Sequence, residues 1–188
     1  MSKVVVTTFL SLDGVMEDPG GSEGYEHGGW QLEYIDEDAG RYVSETYAAA
    51  GALLLGRVTY QAFAEAWPSV KDEFADKINN MPKFVASRTL QEAEWNATLL
   101  RGDVAEEVAR LKQQPGGTLL VPGSGQLVET LRQHNLVDEY ELWVHPVVLG
   151  SGKRLFKDGS DMTALKLVNT RTTGKGVIIL TYQPAQSA

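Results

Sequence analysis

Short apolar runs alternate along this chain with longer segments of helical period. Val4-Val5-Val6-Thr7-Thr8-Phe9 is mostly β-branched and predicts a first strand over Val4–Phe9, because such side chains fit a pleated surface. Ala52-Leu53-Leu54-Leu55 is apolar at every position, the habit of a strand buried on both faces of a parallel sheet. Met81–Arg88, Asn96–Leu100 and Thr118–Val121 read as further strands. Between the runs lie helices. Over Glu33–Ala50, the residues Tyr34, Ala39, Val43, Thr46, Tyr47 and Ala50 recur at helical spacing, and Gly51 closes the segment. Thr59–Trp67 (stopped by Pro68), Lys71–Asn79, Asp103–Leu111 and Gln126–His134 follow. The last of these points Leu127, Val128 and Leu131 inward and has Asn135 as its cap. After it the pattern changes. Glu139–Leu149 reads as one long strand, Gly150–Arg154 as a polar loop, and Lys166–Thr172 with Val177–Tyr182 as a hairpin across Thr173–Gly176. With βα units first and an antiparallel tail last, the fold class is α/β: a mixed, mostly parallel central sheet in a single domain over residues 1–188.

Two strand-to-helix junctions carry glycine. Leu54-Leu55-Gly56-Arg57-Val58-Thr59-Tyr60 lets the backbone turn at Gly56 and places Thr59 at the expected helix start. Leu119-Leu120-Val121-Pro122-Gly123-Ser124-Gly125-Gln126 repeats the arrangement. Unpaired amides at a helix N-terminus favour an anion, so two such junctions at the carboxyl edge of one sheet suit a two-phosphate ligand such as a dinucleotide. Ser87-Arg88, after a third strand, adds a hydroxyl and a guanidinium fork.

Composition narrows the chemistry. There are no cysteines, which removes disulfides, thiolate nucleophiles and cysteine-held zinc. Formal net charge is −8 with no long basic block, which disfavours nucleic acid as a partner. An anionic cofactor would need a local positive pocket, for which Arg57, Lys83 and Arg88 are available. His27, His134 and His145 are far apart, so no metal site is assigned, and Gly123-Ser124-Gly125 is not the nucleophile motif of a serine hydrolase. Paired carboxylates of glycosidase type would leave both glycine junctions unexplained. No apolar run reaches the length of a membrane span and no signal-peptide pattern opens the chain, so the expectation is a soluble, cytoplasmic protein without a membrane partner.

Candidate substrate groups come from three stretches. Asp13-Gly14 after the first strand reads either as a plain turn or as a placement of the Asp13 carboxylate at a strand end facing a ligand, two readings that are compatible. Glu17–Trp30 is glycine-rich yet holds Tyr25, His27 and Trp30, and reads as a mobile lid over a pocket. Glu33, Asp36, Glu37 and Asp38 complement a helix dipole, with one of them free to face a substrate.

Together Ser11-Leu12-Asp13-Gly14, Leu54-Leu55-Gly56-Arg57-x-Thr59-Tyr60, Gly123-Ser124-Gly125-x-Leu127, Leu136-Val137-Asp138-Glu139 and Pro146-Val147-Val148-Leu149-Gly150-x-Gly152 resemble the dihydrofolate reductase fold. The closer resemblance is to the reductase domain of riboflavin biosynthesis and its stand-alone relatives. It covers Val4 to Tyr182 and implies a three-layer α/β/α architecture, a homodimer, NADPH as cofactor and a small-molecule substrate. By position, Gly56, Arg57 and Thr59 would hold the cofactor phosphates, and Ser87 and Arg88 the 2′-phosphate. Gly123, Ser124, Gly125 and Gln126 would admit the pyrophosphate, and Gly14 and Val15 would flank the nicotinamide. Trp30, Leu149 and Gly150 would meet the substrate, with Asp13 and Asp36 as the catalytic carboxylates. The implied reaction is hydride transfer to a small heterocyclic or aminosugar-pyrimidine substrate, as in 5-amino-6-(5-phosphoribosylamino)uracil reduction. A nucleotide-binding module without activity and a folate reductase proper are the alternatives. The Gly-Ser-Gly turn matches the riboflavin branch better than the folate branch, and without cysteines the chain can be only the reductase half of the bifunctional enzyme.

Overall fold

The computed structural model describes residues 1–185. Its strands are β1 (Lys3–Leu10), β2 (Ala50–Gly56), β3 (Lys83–Ala86), β4 (Ala97–Leu100), β5 (Thr118–Pro122), β6 (Glu139–Val144), β7 (Leu165–Thr172) and β8 (Ile178–Pro184). The helices are α1 (Glu37–Ala48), α2 (Arg57–Ala66), α3 (Glu73–Asn80), α4 (Val104–Gln113) and α5 (Gly125–Gln133). One sheet takes all eight strands in the order β4-β3-β2-β5-β1-β6-β8-β7. Every pairing from β4 through β6 is parallel, and β8 joins β6 and β7 antiparallel.

Strand side chains alternate between faces, and the apolar runs supply both. Ala52 and Leu54 of β2 pack with Val4, Val6 and Val121 against Val108 of α4 and Leu127, Val128 and Leu131 of α5. Leu53 and Leu55 turn the other way, onto Tyr47 of α1, Tyr60 of α2 and Ile78 of α3. Two helical layers therefore enclose the sheet. No helix among the described residues is long and apolar enough to cross a membrane.

Several boundaries differ from the sequence expectation. The helix expected from Glu33 begins at Glu37. A 3-10 turn over Leu32–Tyr34 comes first, and Asp36 holds an extended backbone (φ −144°) as N-cap. The helix expected at Thr59 starts two residues earlier, with Gly56 as its cap. Strand Met81–Arg88 contracts to Lys83–Ala86, and Glu139–Leu149 ends at Val144. His145 and Pro146 turn the chain there: Val147 N donates to His145 O at 2.8 Å, and proline has no N–H for the ladder. Asn135, with φ 54°, follows the end of α5 in the left-handed conformation that commonly stops a helix.

Parallel pairing has one consequence for function. The carboxyl ends of β3, β2, β5, β1 and β6 all reach the same edge of the sheet. Antiparallel β8 starts there too, since Ile178 lies opposite Val144, itself opposite Leu10.

Candidate functional site

Two helix N-termini meet at this edge. Ser124 sits in the left-handed region (φ 60°) as the cap of α5, and its Oγ accepts the Gly56 amide at 3.0 Å and lies 2.9 Å from Thr59 Oγ1. One hydroxyl thus laces the β5–α5 junction to the β2–α2 junction. A Cβ on Gly56 would stand 3.3 Å from Ser124 Cβ, and Gly123 has φ +59°, so glycine is what permits the approach. Neither helix start has a side-chain cap or an acid in its first turn. The other three helices differ. Asp36, Asp72 and Asp103 cap α1, α3 and α4, each accepting a first-turn amide, and each of those first turns carries acids.

The turn after β1 lies beside the same junction. A Cβ on Gly125 would come within 2.9 Å of Met16 Sδ. Ser11 Oγ accepts the Val15 amide at 2.9 Å and donates to Asp13 Oδ1 at 2.7 Å, which closes Ser11–Val15 into a tight loop. Asp13 then reaches across to the turn after β6. Oδ1 accepts the Leu149 amide at 3.1 Å and Oδ2 the Gly150 amide at 2.8 Å, with Arg154 Nη2 3.6 Å away. The Ser11 hydroxyl and then these amides hold its carboxyl down at about 2. Leu149 and Gly150 therefore reach Asp13 through their amides. Gly14 (φ +83°) has open space where a Cβ would be, while Val15 is fully buried.

Asp36 is likewise engaged. Besides capping α1, its Oδ2 accepts the Lys175 amide of the β7–β8 turn at 2.8 Å. The Ala39 amide is the main cause of its lowered pKa. Both carboxylates expected to be catalytic are thus ionised at neutral pH and engaged as anchors. Each joins two loops of the edge.

The glycine-rich stretch expected as a mobile lid has an internal frame. Asp18 is buried and accepts the Ser22 amide at 2.7 Å and the Tyr25 amide at 3.3 Å, while Tyr25 Oη donates to Ser151 O. Trp30, expected to touch substrate, is instead buried against His145 with ring centroids 5.1 Å apart. Its indole N–H is spent on Glu17 O. Sequence reasoning gave His145 no role. It is buried among Phe9, Trp30 and Tyr34, and burial lowers its pKa. With Trp143 O at 2.9 Å and Leu10 O at 3.2 Å, Nδ1 carries the proton. The aromatic residues around it signal an apolar environment, but only the fold shows that they share one place. Glu141 was also missed. It accepts from Thr7, Thr46 and the Trp143 indole beneath α1, with no cation within 4.0 Å among the described residues.

The cations divide. Arg57 and Arg88 are exposed and have no carboxylate within 4.0 Å among the described residues; Arg57 bonds Gln61. Ser87 Oγ accepts the Thr89 and Leu90 amides, which fixes the turn that carries Arg88. Gln126 lies in the first turn of α5. Lys83, offered by the sequence as a third cation here, lies at the opposite end of β3. It is 1% exposed, with Nζ on Asn79 O and Met81 O and 4.0 Å above the Trp95 ring. A shallow hollow near Arg132, Asp138 and Gln183 also lies at the far end of the sheet. The candidate site is an open edge.

Residues 2–179 match the family model described as the RibD C-terminal domain. The chain is 31% identical over 185 residues to the uncharacterized protein YyaP of Bacillus subtilis (strain 168), covering 96% of this chain and 94% of that one. In structure it is similar to a pyrimidine reductase-like protein of Corynebacterium diphtheriae (TM-score 0.71, 12% identity, 99% and 93% coverage). It is also similar to dihydrofolate reductase from Enterococcus faecalis, solved with NADP(H) (TM-score 0.64, 15% identity, 97% and 96% coverage). The fold is dihydrofolate reductase-like, as the motifs implied.

Proposed function

The chain belongs to the RibD C-terminal domain family, and on that premise we propose that it is an NADPH-dependent reductase acting on a small heterocyclic substrate. The observation that carries this reading is the pair of uncapped helix starts, laced through Ser124, with Arg57 and Arg88 at the same edge and without a carboxylate partner among the described residues. These groups fit the cofactor's phosphates. Helix N-termini and guanidinium forks both favour phosphate, and the glycines allow close backbone approach.

Bound NADPH supplies the hydride. The first-turn amides of α2 and α5 would hold its pyrophosphate beside Arg57, and Ser87 with Arg88 would hold the 2′-phosphate. Gly14 leaves room against the turn that Asp13 and Ser11 keep in place. Asp13 and Asp36 keep the loops of the edge in register, so the protein contributes orientation and electrostatics. Hydride transfer leaves one proton to be supplied, and these two carboxylates, ionised at neutral pH, are not its source. The reading extends to a homodimer, supported by edge strand β7, where Leu167 and Val168 are exposed and the outer backbone groups are unpaired.

Thermal unfolding with NADPH, with NADH and without ligand tests the cofactor. A ligand at a hundredfold excess over its dissociation constant stabilises by about 2.7 kcal/mol. A larger shift with NADPH than with NADH is expected. No shift with either would favour a binding module that has lost the activity.

A further inference from the structure

The hairpin of β7 and β8 has two unlike faces. Residues paired across neighbouring strands point to the same side of a sheet. Ile178, Leu180 and Tyr182, opposite Val144, Leu142 and Tyr140, therefore point to the side that α4 and α5 cover further in. Leu167 joins them opposite Tyr182, with Thr170 opposite Leu180 and Thr172 opposite Ile178. Among the described residues of the hairpin, none on this face is charged. Both cations of β7 are on the other face. Lys166 lies opposite Gln183, and Arg171, opposite Ile179, bonds Glu45 of α1 at 2.7 Å. The helices leave the uncharged face bare. Of the hairpin only Leu165 and Tyr182 reach the core of α4 and α5, whereas α1 packs on the opposite side, over Val177 and Ile179. Ile178 stays 42% exposed, Leu167 48%, and Val168, unpaired in the bulge beside Leu167, 43%. Phe156, also 42% exposed, extends the patch from the segment after β6 by packing on Tyr140, with ring centroids 6.0 Å apart.

Resting on the homodimer reading, we propose that a second copy of this chain docks here, apolar face on apolar face, about a two-fold axis. At ~3.3 Å per residue and ~4.8 Å between strands, the patch measures roughly 25 by 15 Å with Phe156 included, the size at which exposed apolar surface marks an interaction site. Charge favours the copy as occupant. With a net charge of −8, two copies repel each other, so they meet where neither carries an acid. A two-fold axis sets each patch against its own like, and a partner steered by charge would find none here. The outer edge of β7 is the poorer surface, because the bulge at Val168 and the charge of Lys166 blunt it against strand pairing. Two sheets packed face to face, about 10 Å apart, bury both rows of side chains instead. The patch is smaller than the ~800 Å² per partner of a standard interface, so the dimer is expected to dissociate in the micromolar range.

Sedimentation velocity of the full-length protein over a micromolar concentration series measures the dimer. Leu167→Glu and Ile178→Glu each place an unpaired carboxylate in the interface and should weaken dimerisation roughly tenfold or more, with an unchanged circular dichroism spectrum. Leu167→Gln replaces the charged variant if that one does not fold. Lys166→Glu, on the other face of the same strand, should leave the dimer within about twofold of the parent. A parent that stays monomeric overturns the proposal together with the homodimer reading. Face variants that dimerise as tightly as the parent overturn the docking face alone and leave the homodimer intact. An effect of Lys166→Glu as large as that of Leu167→Glu also overturns it, in favour of edge pairing. The thermal shift with NADPH, read on the same samples, reports on the reductase reading whatever the sedimentation shows.

Discussion

Lys83 offers a sharp test of the physical account, because its charge is buried without a counter-ion among the described residues. The residue is 1% exposed, and its ammonium rests on two carbonyl oxygens at the end of α3 and on the face of Trp95. Desolvation brings its pKa from 10.5 down to about 8, which corresponds to roughly 3 kcal/mol against the charged form. The sign follows from linkage. Between those two values the unfolded chain binds more protons than the folded one, so stability rises with pH. Between pH 7.5 and pH 9.5 the gain should be roughly 2 kcal/mol. Lys83→Met keeps an unbranched chain and removes the titration. Urea unfolding of both proteins across this range isolates the residue as the difference between the two curves. Near neutral pH the variant should match or exceed the parent, since lost carbonyl and cation–π contacts offset the relieved desolvation. A difference that stays flat from pH 7.5 to pH 9.5 would refute the buried, uncompensated ammonium. NADPH affinity should be untouched, because Lys83 lies at the far end of β3 from the site.

Three further outcomes follow from the site. Ser124→Ala leaves the Gly56 amide without its acceptor and should cost about 1–3 kcal/mol of stability, with weaker NADPH binding; calorimetry that finds both unchanged removes the lacing role. Arg88→Ala should lower NADPH affinity by about one to two decades and leave NADH affinity unaltered, and equal losses would remove the 2′-phosphate assignment. Asp13, whose pKa is held at about 2, contributes stability above its ordinary unfolded value near 3.8 that is lost as pH falls toward 2. Asp13→Asn should therefore flatten the acid limb of Tm against pH, and an acid limb identical to the parent's would show that the clamp is not formed.

The architecture was legible because its signals are local or periodic. The all-apolar Ala52–Leu55 announced a strand buried on both faces, and the change from βα order to a hairpin after Glu139 announced the antiparallel end. Boundaries were less legible where a single backbone conformation decides them. Asp36 could equally be read as the fourth residue of a helix or as its cap, and only its extended backbone separates the two. Trp30 and Asp13 were visible as residues with chemistry but not as residues already engaged. Their partners, Glu17 O and His145 for one and the amides of Leu149 and Gly150 for the other, are set by tertiary contact. Lys83 was misplaced for a related reason: a strand read as ending in a polar pair does not reveal which end of it faces the site.

The helix starts make the functional argument independent of family. Acids are plentiful in this chain, 25 against 17 basic residues, and α1, α3 and α4 each begin with an aspartate cap and acids in the first turn. A cap is worth about 1 kcal/mol to a helix, so leaving it out at α2 and α5 forgoes stability that the same chain takes up elsewhere. Composition does not explain the omission, since the two starts lacking caps are the two that touch through Ser124 and lie beside the unpaired arginines. An acid at either place would occupy the amides and repel an incoming phosphate. A ligand whose phosphates accept from these amides would restore what the missing caps withhold. For this reason the thermal shift with NADPH should be largest in the parent protein and reduced when Ser124 no longer holds the two starts together.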